Sequence, residues 1–304
     1  MPQKIILDVD TGRDDAVAIL MAGHHPALEL AAVLAVHGNA PLETTLDNTL
    51  RTLEAGGLTH VPVYVGAEVP LMGKFAPTLD VQRVKLPLPS AAKRPENKHA
   101  VQFLIDYYMS VDGPETIYMP VGPQTNLAVA LRIEPRIVER IPRIVTMGGA
   151  YLEGNTTPSA EFNILADPEA AHIVFTAGIP ITMVGLEVTA RALVMPQDVE
   201  RIRDIGTPWA VIAADLMAAD VQWFVEELGC EGGQIYDPCA VAAVIAPDVL
   251  TTKAMRVDIE LYGTLTRGRT VADISGQRGW KPNVEVGVDM DRERFVELLY
   301  DGLR

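Results

Sequence analysis

Apolar residues along the chain follow two spacings that alternate with each other. Short runs rich in Ile, Leu and Val, such as residues 5–10 and 28–36, are typical of strands buried on both faces. Each run precedes a segment with apolar positions at helical spacing, residues 14–24 and 44–55. The same order predicts later strands at 116–120, 141–147 and 181–184, and helices at 99–109, 125–133 and 168–176.

Alternating strands and helices predict an α/β fold with an open, mostly parallel, twisted sheet covered by helices on both faces. No Ser/Gly-rich linker and no fixed-period repeat interrupts the chain, so we expect residues 1–304 to form one domain. Residues 70–95 mix Pro, Lys, Arg and Gly, which predicts a long surface loop. Residues 209–228 predict a long helix that either packs on the core or leans over a site.

Charge and composition exclude some classes of partner. The chain of 304 residues has 25 Lys and Arg against 40 Asp and Glu, and a net charge of −15 would repel nucleic acid. No run reaches the ~18 uncharged apolar residues of a membrane-spanning helix, and the first residues lack the apolar core of a signal peptide. Only Cys230 and Cys239 are present, so we expect two free thiols and a cytoplasmic protein.

Four carboxylates, those of Asp8, Asp10, Asp14 and Asp15, stand within eight residues where the first strand is predicted to end. Ligands of open parallel sheets bind outside the carboxyl ends of the strands. Anions this close repel one another unless a cation compensates them, and oxygen ligands without His or Cys favour Ca²⁺ or Mg²⁺ over Zn²⁺. A helix N-cap with surface acids is the simpler alternative, and it explains one or two of these residues.

Two families of enzyme have such a motif. An Asp-x-Asp phosphatase of the haloacid dehalogenase type would use the first Asp as nucleophile with Mg²⁺, but it has Thr or Val where Gly12 stands. The string DVDTGRDDAVAIL instead closely resembles the N-terminal signature of the inosine-uridine-preferring nucleoside hydrolases. The resemblance continues in order through residues 36–39, 120–127, 145–151, 153–155, 160–164, 167–171 and 237–240.

The resemblance implies a Rossmann-like core and Ca²⁺-dependent hydrolysis of the N-glycosidic bond of ribonucleosides, which gives free base and ribose. Matched by position, the Ca²⁺ ligands are Asp10, Asp15, Asp237 and the backbone carbonyl of Thr125. Asp10 would also take a proton from the bound water, while Asp8 would orient these ligands from behind. Relatives assemble as dimers or tetramers, so a homodimer or homotetramer is expected.

The resemblance also assigns residues to the substrate. Asp14, Asn39, Asn155, Glu161 and Asn163 would hold the ribose, and Asn155 would support catalysis as positive charge develops on the sugar. The remaining substrate-binding positions by this match are Met147, Phe162 and Tyr236. Met and Phe side chains are otherwise common in cores.

Tyr236 departs from the family pattern, because many members have a His there that is thought to protonate the departing base. Tyr has a pKa near ~10 and releases its proton far less readily than His, so Tyr236 would serve as an acid, a hydrogen-bond donor or a stacking wall. The 70–95 segment, where many relatives also have a His, has none and offers Lys74, Arg83 and Lys85.

Base preference therefore stays open. The predicted 209–228 helix combines aromatic and acidic residues that would suit a modified base with an amino or cationic substituent, or simply face solvent: Asp220, Trp223, Phe224, Glu226 and Glu227. A non-catalytic nucleoside-binding or ribose-binding relative, which kept the site but lost turnover, is the remaining alternative.

Overall fold

The computed structural model describes residues 1–73, 84–111 and 113–304. Within these ranges the strands are β1 (Gln3–Val9), β2 (Leu28–Ala35), β3 (Val63–Val65), β4 (Ile117–Pro120), β5 (Ile144–Met147), β6 (Ile181–Val184), β7 (Leu250–Met255), β8 (Val257–Ile259), β9 (Thr270–Ala272) and β10 (Val284–Met290). Eight of these described strands form one sheet in the order β3-β2-β1-β4-β5-β6-β10-β7. All neighbours pair in parallel except β10 and β7, and β8 pairs with β9 in a separate antiparallel ribbon.

The helices surround this sheet. In the described ranges they are α1 (Arg13–His24), α2 (Leu42–Ala55), α3 (Ala100–Tyr108), α4 (Thr125–Ile133), α5 (Phe162–Ala166), α6 (Pro168–Phe175), α7 (Leu186–Thr189), α8 (Pro196–Arg203), α9 (Pro208–Leu228), α10 (Tyr236–Ile245) and α11 (Arg292–Leu303). Short 3-10 turns at Gly113–Glu115, Pro135–Glu139 and Pro247–Val249 connect some of these elements.

Two buried clusters lie on opposite faces of the sheet. Along β1, Ile5 and Leu7 pack in the cluster that includes residues of α1, α9, α10 and α11. Ile6, between them, packs in the other cluster with residues of α3, α4 and α6. Successive side chains of a strand point to opposite faces, so both faces of this sheet are covered by helices. The predicted fold class is therefore confirmed.

Predicted and observed elements differ mainly at their ends. The strand predicted at 181–184 and the helix predicted at 125–133 match β6 and α4 at both ends. The 209–228 helix is observed as α9, and residues 85–95 have no helix or strand, as expected for a loop. Residues 70–73 of that predicted loop also have no helix or strand, and residues 74–83 lie outside the described residues. Sequence patterns did not predict β3, the β8–β9 ribbon or the antiparallel pair of β7 and β10.

Three other expectations concern the whole chain. Among the described residues, no helix is both long and apolar enough to cross a membrane. Cys230 and Cys239 are both free thiols. The assignment of residues 1–304 to a single domain stays a prediction.

Candidate active site

A cavity of about 540 Å³ opens at the carboxyl ends of four neighbouring strands. Asp10 follows β1, Asn39 follows β2, Val121 follows β4, and Met147 ends β5, and all four residues line the cavity. The predicted site residues that line it are Asp10, Asp14, Asn39, Met147, Asn155, Glu161, Phe162, Asn163, Tyr236 and Asp237. Asp15 and Thr125 are not among the lining residues. The parallel sheet thus brings together residues from distant parts of the chain.

Three carboxylates converge where the N-terminus of α1 meets that of α10. Asp14, Asp15 and Asp237 each place an oxygen within 4.8 Å of the other two. Asp14, which the sequence analysis assigned to the ribose, therefore lies in the acidic cluster itself. Burial raises the pKa of Asp14 and of Asp237 well above the usual range, and neighbouring carboxylates raise both further. Such mutual repulsion is relieved when a cation binds.

Asp10 adjoins this cluster and is fixed by backbone amides. Its Oδ2 accepts a 2.7 Å hydrogen bond from the Asn39 backbone N–H, and its own N–H donates to Asp15 Oδ1 at 3.1 Å. Asp15 Oδ2 accepts from the Gly12 N–H at 2.8 Å and from the Asn39 side-chain amide at 3.3 Å. Burial, followed by the charge of Asp15, raises the pKa of Asp10 well above its usual range. Asn39 thus organises the carboxylates, a role that the ribose assignment did not include.

Two glycines make room for the Asp10 carboxylate. A Cβ built on Gly38 would lie 2.0 Å from Asp10 Oδ2, and one on Gly122 would lie 2.6 Å from Oδ1. Atoms do not approach so closely without displacement. The turns after β2 and β4 therefore tolerate no side chain at these two positions while Asp10 stays in place.

Asp8 lies behind Asp10, on the same strand and fully buried. Its carboxylate accepts hydrogen bonds from the Tyr118 hydroxyl and, at 2.9 Å, from the Asn126 side-chain amide. Burial raises the pKa of Asp8 to about 7, against the lowering effect of these two donors. The two Asp8 oxygens thus bond to side chains of β4 and α4, which connects β1 to these elements. Asp8 does not line the cavity.

The wall opposite α1 comes from the start of α5. Glu161 is its N-cap and accepts hydrogen bonds from the backbone N–H groups of Asn163 at 2.8 Å, Ile164 at 3.1 Å and Gly149 at 2.9 Å. Asn163 donates through Nδ2 to the carbonyls of Val121 at 2.8 Å and Met147 at 3.3 Å. These contacts fix the direction of both side chains toward the cavity.

Asn155 stands on an exposed loop above this wall. Its Oδ1 accepts a 3.0 Å hydrogen bond from the Phe162 backbone N–H, which leaves the amide nitrogen without a partner among the described residues. Phe162 itself is half-buried and lines the cavity. The asparagine is therefore oriented but still able to donate to a ligand.

Thr125, whose backbone carbonyl is a predicted Ca²⁺ ligand, is the first residue of α4. Its hydroxyl donates to Asp167 Oδ2 at 2.8 Å and contacts His37 Nε2 at 3.1 Å, so the side chain points into the interior. Val121, four residues earlier, does line the cavity. Its carbonyl already faces the Asn163 amide. Val121, and not Thr125, is therefore the residue of this stretch that lines the cavity.

A further part of the cavity wall is formed by α9 and the start of α10. Asp220, Trp223 and Phe224 line the cavity, and the Trp223 and Phe224 rings meet edge to face with centroids 5.2 Å apart. Burial raises the pKa of Tyr236, and the charges of Asp14, Glu161 and Asp220 raise it further. The structure therefore keeps the Tyr236 hydroxyl protonated. Glu226 and Glu227 are exposed and do not line the cavity, as the solvent alternative expected.

Several lining residues were missed by the sequence analysis. They are Gly12, Arg13, Val84, Val121, Thr156 and Gln234. Arg13 stands inside the acidic motif, so its position there was a usable signal. Of the three basic residues proposed for the 70–95 segment, Lys74 and Arg83 lie outside the described residues, and Lys85 is exposed and off the cavity wall.

The donor set of the acidic cluster fits a hard cation. The described residues of the cluster supply carboxylate oxygens and no His or Cys ligand. Oxygen ligands of this kind suit Ca²⁺, Mg²⁺ or Mn²⁺ rather than Zn²⁺.

Comparison with known proteins agrees with this geometry. Residues 5–297 match the sequence model of the inosine-uridine preferring nucleoside hydrolases. An inosine-uridine preferring nucleoside hydrolase of Crithidia fasciculata is 41% identical over 308 residues, which cover 100% of this chain and 98% of the relative. The pyrimidine-specific ribonucleoside hydrolase RihB of Escherichia coli is 40% identical, over 99% of this chain and 97% of its own length.

A solved structure extends the match to three dimensions. The purine-preferring ribonucleoside hydrolase from Gardnerella vaginalis superposes with a TM-score of 0.91 at 32% identity, covering 99% of this chain and 98% of that one. The chain belongs to the inosine-uridine preferring nucleoside hydrolase family. It is thus an enzyme of the ribonucleoside hydrolase class, which cleaves N-glycosidic bonds. The phosphatase alternative is not supported.

Proposed function

We propose that this enzyme hydrolyses the N-glycosidic bond of ribonucleosides with a Ca²⁺ ion held at the acidic cluster. The observation that carries the proposal is the convergence of Asp14, Asp15 and Asp237, with Asp10 hydrogen-bonded to Asp15 beside them, at a cavity lined by amide and carboxylate side chains. The cavity, of about 540 Å³, is in the size range of small-molecule sites.

Asp10, Asp15 and Asp237 are the proposed carboxylate ligands of the ion. Asp14 has an oxygen within 4.8 Å of those of Asp15 and Asp237, so it is close enough to share the cation or to bind the ribose beside it. For the backbone ligand we propose the carbonyl of Val121 in place of that of Thr125, because Val121 lines the cavity and Thr125 does not. Ca²⁺ accepts about six to eight oxygens, which leaves positions for water and sugar hydroxyls.

A bound cation lowers the pKa of coordinated water and thereby favours hydroxide formation. Asp10 is the proposed base that receives the proton from the attacking water. The Asn39 N–H donates a hydrogen bond to its Oδ2, and the absence of side chains at Gly38 and Gly122 leaves room for both of its oxygens. A general base that is held in position before the substrate binds loses little further conformational entropy in the reaction.

The ribose is proposed to lie between the cation and the α5 wall. Glu161 and Asn163 are oriented there by backbone contacts, and Asn155 keeps a free amide group above them. Carboxylate and amide oxygens near the sugar are favourable because the transition state carries positive charge. Met147 and Phe162 supply apolar surface beside these polar groups.

The base is proposed to lie against Tyr236 and α9, where Trp223 and Phe224 offer aromatic surface. The relatives named above differ in preference: one is named for inosine and uridine, one for pyrimidines and one for purines. A base with an amino substituent remains our hypothesis, because Asp220 lines this end of the cavity and its Oδ2 has no hydrogen-bond partner among the described residues, whereas its Oδ1 accepts from Arg13. Equal turnover of all common nucleosides would contradict it.

We also propose a cytoplasmic homodimer or homotetramer. The two free thiols suit a reducing compartment. A group of large apolar residues is exposed on and around the β8–β9 ribbon and supports an interface between subunits: Tyr262, Leu265, Val271, Ile274 and Trp280. Light scattering on the purified protein would distinguish these assemblies from a monomer.

The decisive experiment measures ribose release from a panel of purine, pyrimidine and methylated ribonucleosides, first with Ca²⁺ and then with a chelator. Release that stops on chelation and returns with Ca²⁺ is the expected result. Release that is unaffected by chelation would contradict the role of the cation. Nucleoside binding without release from any substrate would favour the non-catalytic alternative.

A further inference from the structure

Breaking the glycosidic bond leaves an electron pair on the nitrogen of the departing base. Stabilising that charge requires a proton donor or a positive charge at the base side of the cavity. Tyr236 lines the cavity there and has no cationic side chain. Among the described residues that line the cavity, five carry carboxylates and one, Arg13, carries a cationic side chain.

Arg13 is directed to the base side by an ion pair. Its Nη1 donates a 2.8 Å hydrogen bond to Oδ1 of Asp220, so the side chain reaches from the first residue of α1 to the middle of α9. The Asp220 side chain is 25% exposed and that of Arg13 is 38% exposed, and both residues line the cavity. Its Nη2 and Nε have no hydrogen-bond partner among the described residues.

The neighbours of this pair place it relative to the substrate. Arg13 precedes Asp14, which lies in the acidic cluster, and Asp220 stands one helical turn before Trp223 and Phe224. The pair therefore spans the gap between the end of the cavity proposed for the ribose and the end proposed for the base. The scissile bond would lie across this gap.

We infer that Arg13 is a catalytic residue that stabilises the negative charge of the departing base, and that Asp220 is the positioning residue that orients it. The inference rests on the proposed function. As the water oxygen bonds to C1′, the C1′–N bond breaks and its electron pair stays with the base. The water proton goes to Asp10, and the base anion, held beside the guanidinium, takes a proton from solvent as it leaves.

The test compares two leaving groups in Arg13→Gln and Arg13→Lys. One substrate is the ribonucleoside that the wild-type enzyme cleaves best, and the other is p-nitrophenyl β-D-ribofuranoside, whose phenolate is already a stable anion. Arg13→Gln should lower kcat for the nucleoside by roughly 10²-fold, as the loss of a charge-stabilising donor does elsewhere, with a smaller change in KM. Cleavage of the phenyl riboside should fall far less, and Arg13→Lys should recover part of the nucleoside activity.

Asp220→Asn separates positioning from catalysis. If Asp220 acts through Arg13, Asp220→Asn alone should lower kcat for the nucleoside. Added to Arg13→Gln, the same substitution should lower kcat little further. Arg203→Gln is the matched control, because Arg203 pairs with another aspartate of α9, Asp215, and does not line the cavity. It should leave the rates on both substrates unchanged.

The outcomes distinguish this inference from the proposed function. Equal losses on both substrates in Arg13→Gln, or no loss on either, would overturn the role of Arg13 while Ca²⁺-dependent cleavage by the wild type still supported the proposed function. A wild-type enzyme that cleaves neither substrate would contradict the proposed function, and the assignment of Arg13 would fall with it. Thermal unfolding of each variant checks that lost activity does not reflect lost folding.

Discussion

The side-chain amide of Asn48, in α2, donates a 2.8 Å hydrogen bond to the carbonyl of Thr11, between Asp10 and Gly12 in the acidic loop. The same amide donates to the carbonyl of Val84 at 3.0 Å, and the Asn48 Oδ1 accepts from the N–H of Leu86 at 3.0 Å. Asn48 is fully buried. One side chain therefore joins the acidic loop to Val84, which forms part of the cavity wall.

Replacing this amide should weaken both the fold and the site. Asn48→Asp keeps the size but replaces two donors with an oxygen that faces the Thr11 and Val84 carbonyls. We expect the free energy of unfolding to fall by at least about 2 kcal/mol, because buried carbonyls would lose their partners. Denaturant unfolding measures this, and KM for the nucleoside should rise in the same variant.

Asp47→Asn is the control for that experiment. Asp47 is the preceding residue, has a side chain that is 40% exposed, and pairs with Arg51 one turn later at 2.7 Å. Ion pairs between helix positions i and i+4 contribute about 0.3–0.5 kcal/mol, and asparagine can still accept a hydrogen bond from Arg51, so this change should have little effect on stability and none on KM. A similar loss in both variants would show that α2 tolerates no change here and that Asn48 has no special role.

A methyl group at Gly38 should displace the Asp10 carboxylate. The added Cβ of Gly38→Ala would lie 2.0 Å from Asp10 Oδ2, which is much closer than atoms can approach. We expect cation retention and nucleoside cleavage to fall together, measured by metal analysis after desalting and by ribose release. In Gly12→Ala the nearest atom is the Asn39 side-chain nitrogen at 3.0 Å, so a smaller loss is expected. Unchanged cation content in Gly38→Ala would argue against Asp10 as a ligand.

Replacing Asp10 and replacing Asp14 with alanine should have different effects on cation retention and on activity. Asp10→Ala should abolish both cation retention and activity, because the same carboxylate is the proposed ligand and the proposed base. Asp14 has an oxygen in the acidic cluster and is also a proposed ribose ligand. If it binds mainly the sugar, Asp14→Ala should keep the cation and raise KM. Loss of the cation in Asp14→Ala would instead assign this residue to the metal, and activity retained in Asp10→Ala would remove Asp10 from the mechanism.

Local sequence patterns predicted most of the strands and helices that build the site. Asp10, Asp14 and Asp15 come directly after a strand whose apolar run is unmistakable, and the order of elements fixes them at the carboxyl edge of the sheet. The antiparallel edge was missed because β7 is mostly exposed and so lacks the buried apolar run that β1, β4 and β5 have. Its pairing with β10 depends on tertiary contacts.

Contacts between distant residues were the part that the sequence could not predict. Arg13 and Asp220 are 207 positions apart, and no local period relates them. The choice between Val121 and Thr125 has a similar origin, since both belong to the one matched stretch, 120–127. Which of the two lines the cavity depends on how the chain turns from β4 into α4.

His24 should make the stability of the fold depend on pH in mildly acidic solution. Its ring stacks on Trp209 with centroids 4.0 Å apart, and its Nε2 contacts the Gly56 carbonyl at 2.9 Å. Burial lowers the pKa of His24 from its usual 6.5, although the hydrogen bond to Gly56 opposes this, and the charge of His60 lowers it slightly more. The unfolded chain therefore binds the proton more readily than the folded protein does.

The sign of the effect follows from that difference. Above the unfolded pKa of 6.5 the ring is neutral in both states, and His24 adds no pH dependence. As the pH falls below 6.5 the unfolded chain takes up the proton first, so stability is lost until the folded pKa is passed. His24→Phe keeps an aromatic ring on Trp209 and removes the titration. Between about pH 8 and about pH 5 its Tm should fall less than that of the wild type, and parallel Tm curves for the two proteins would rule out a contribution from His24.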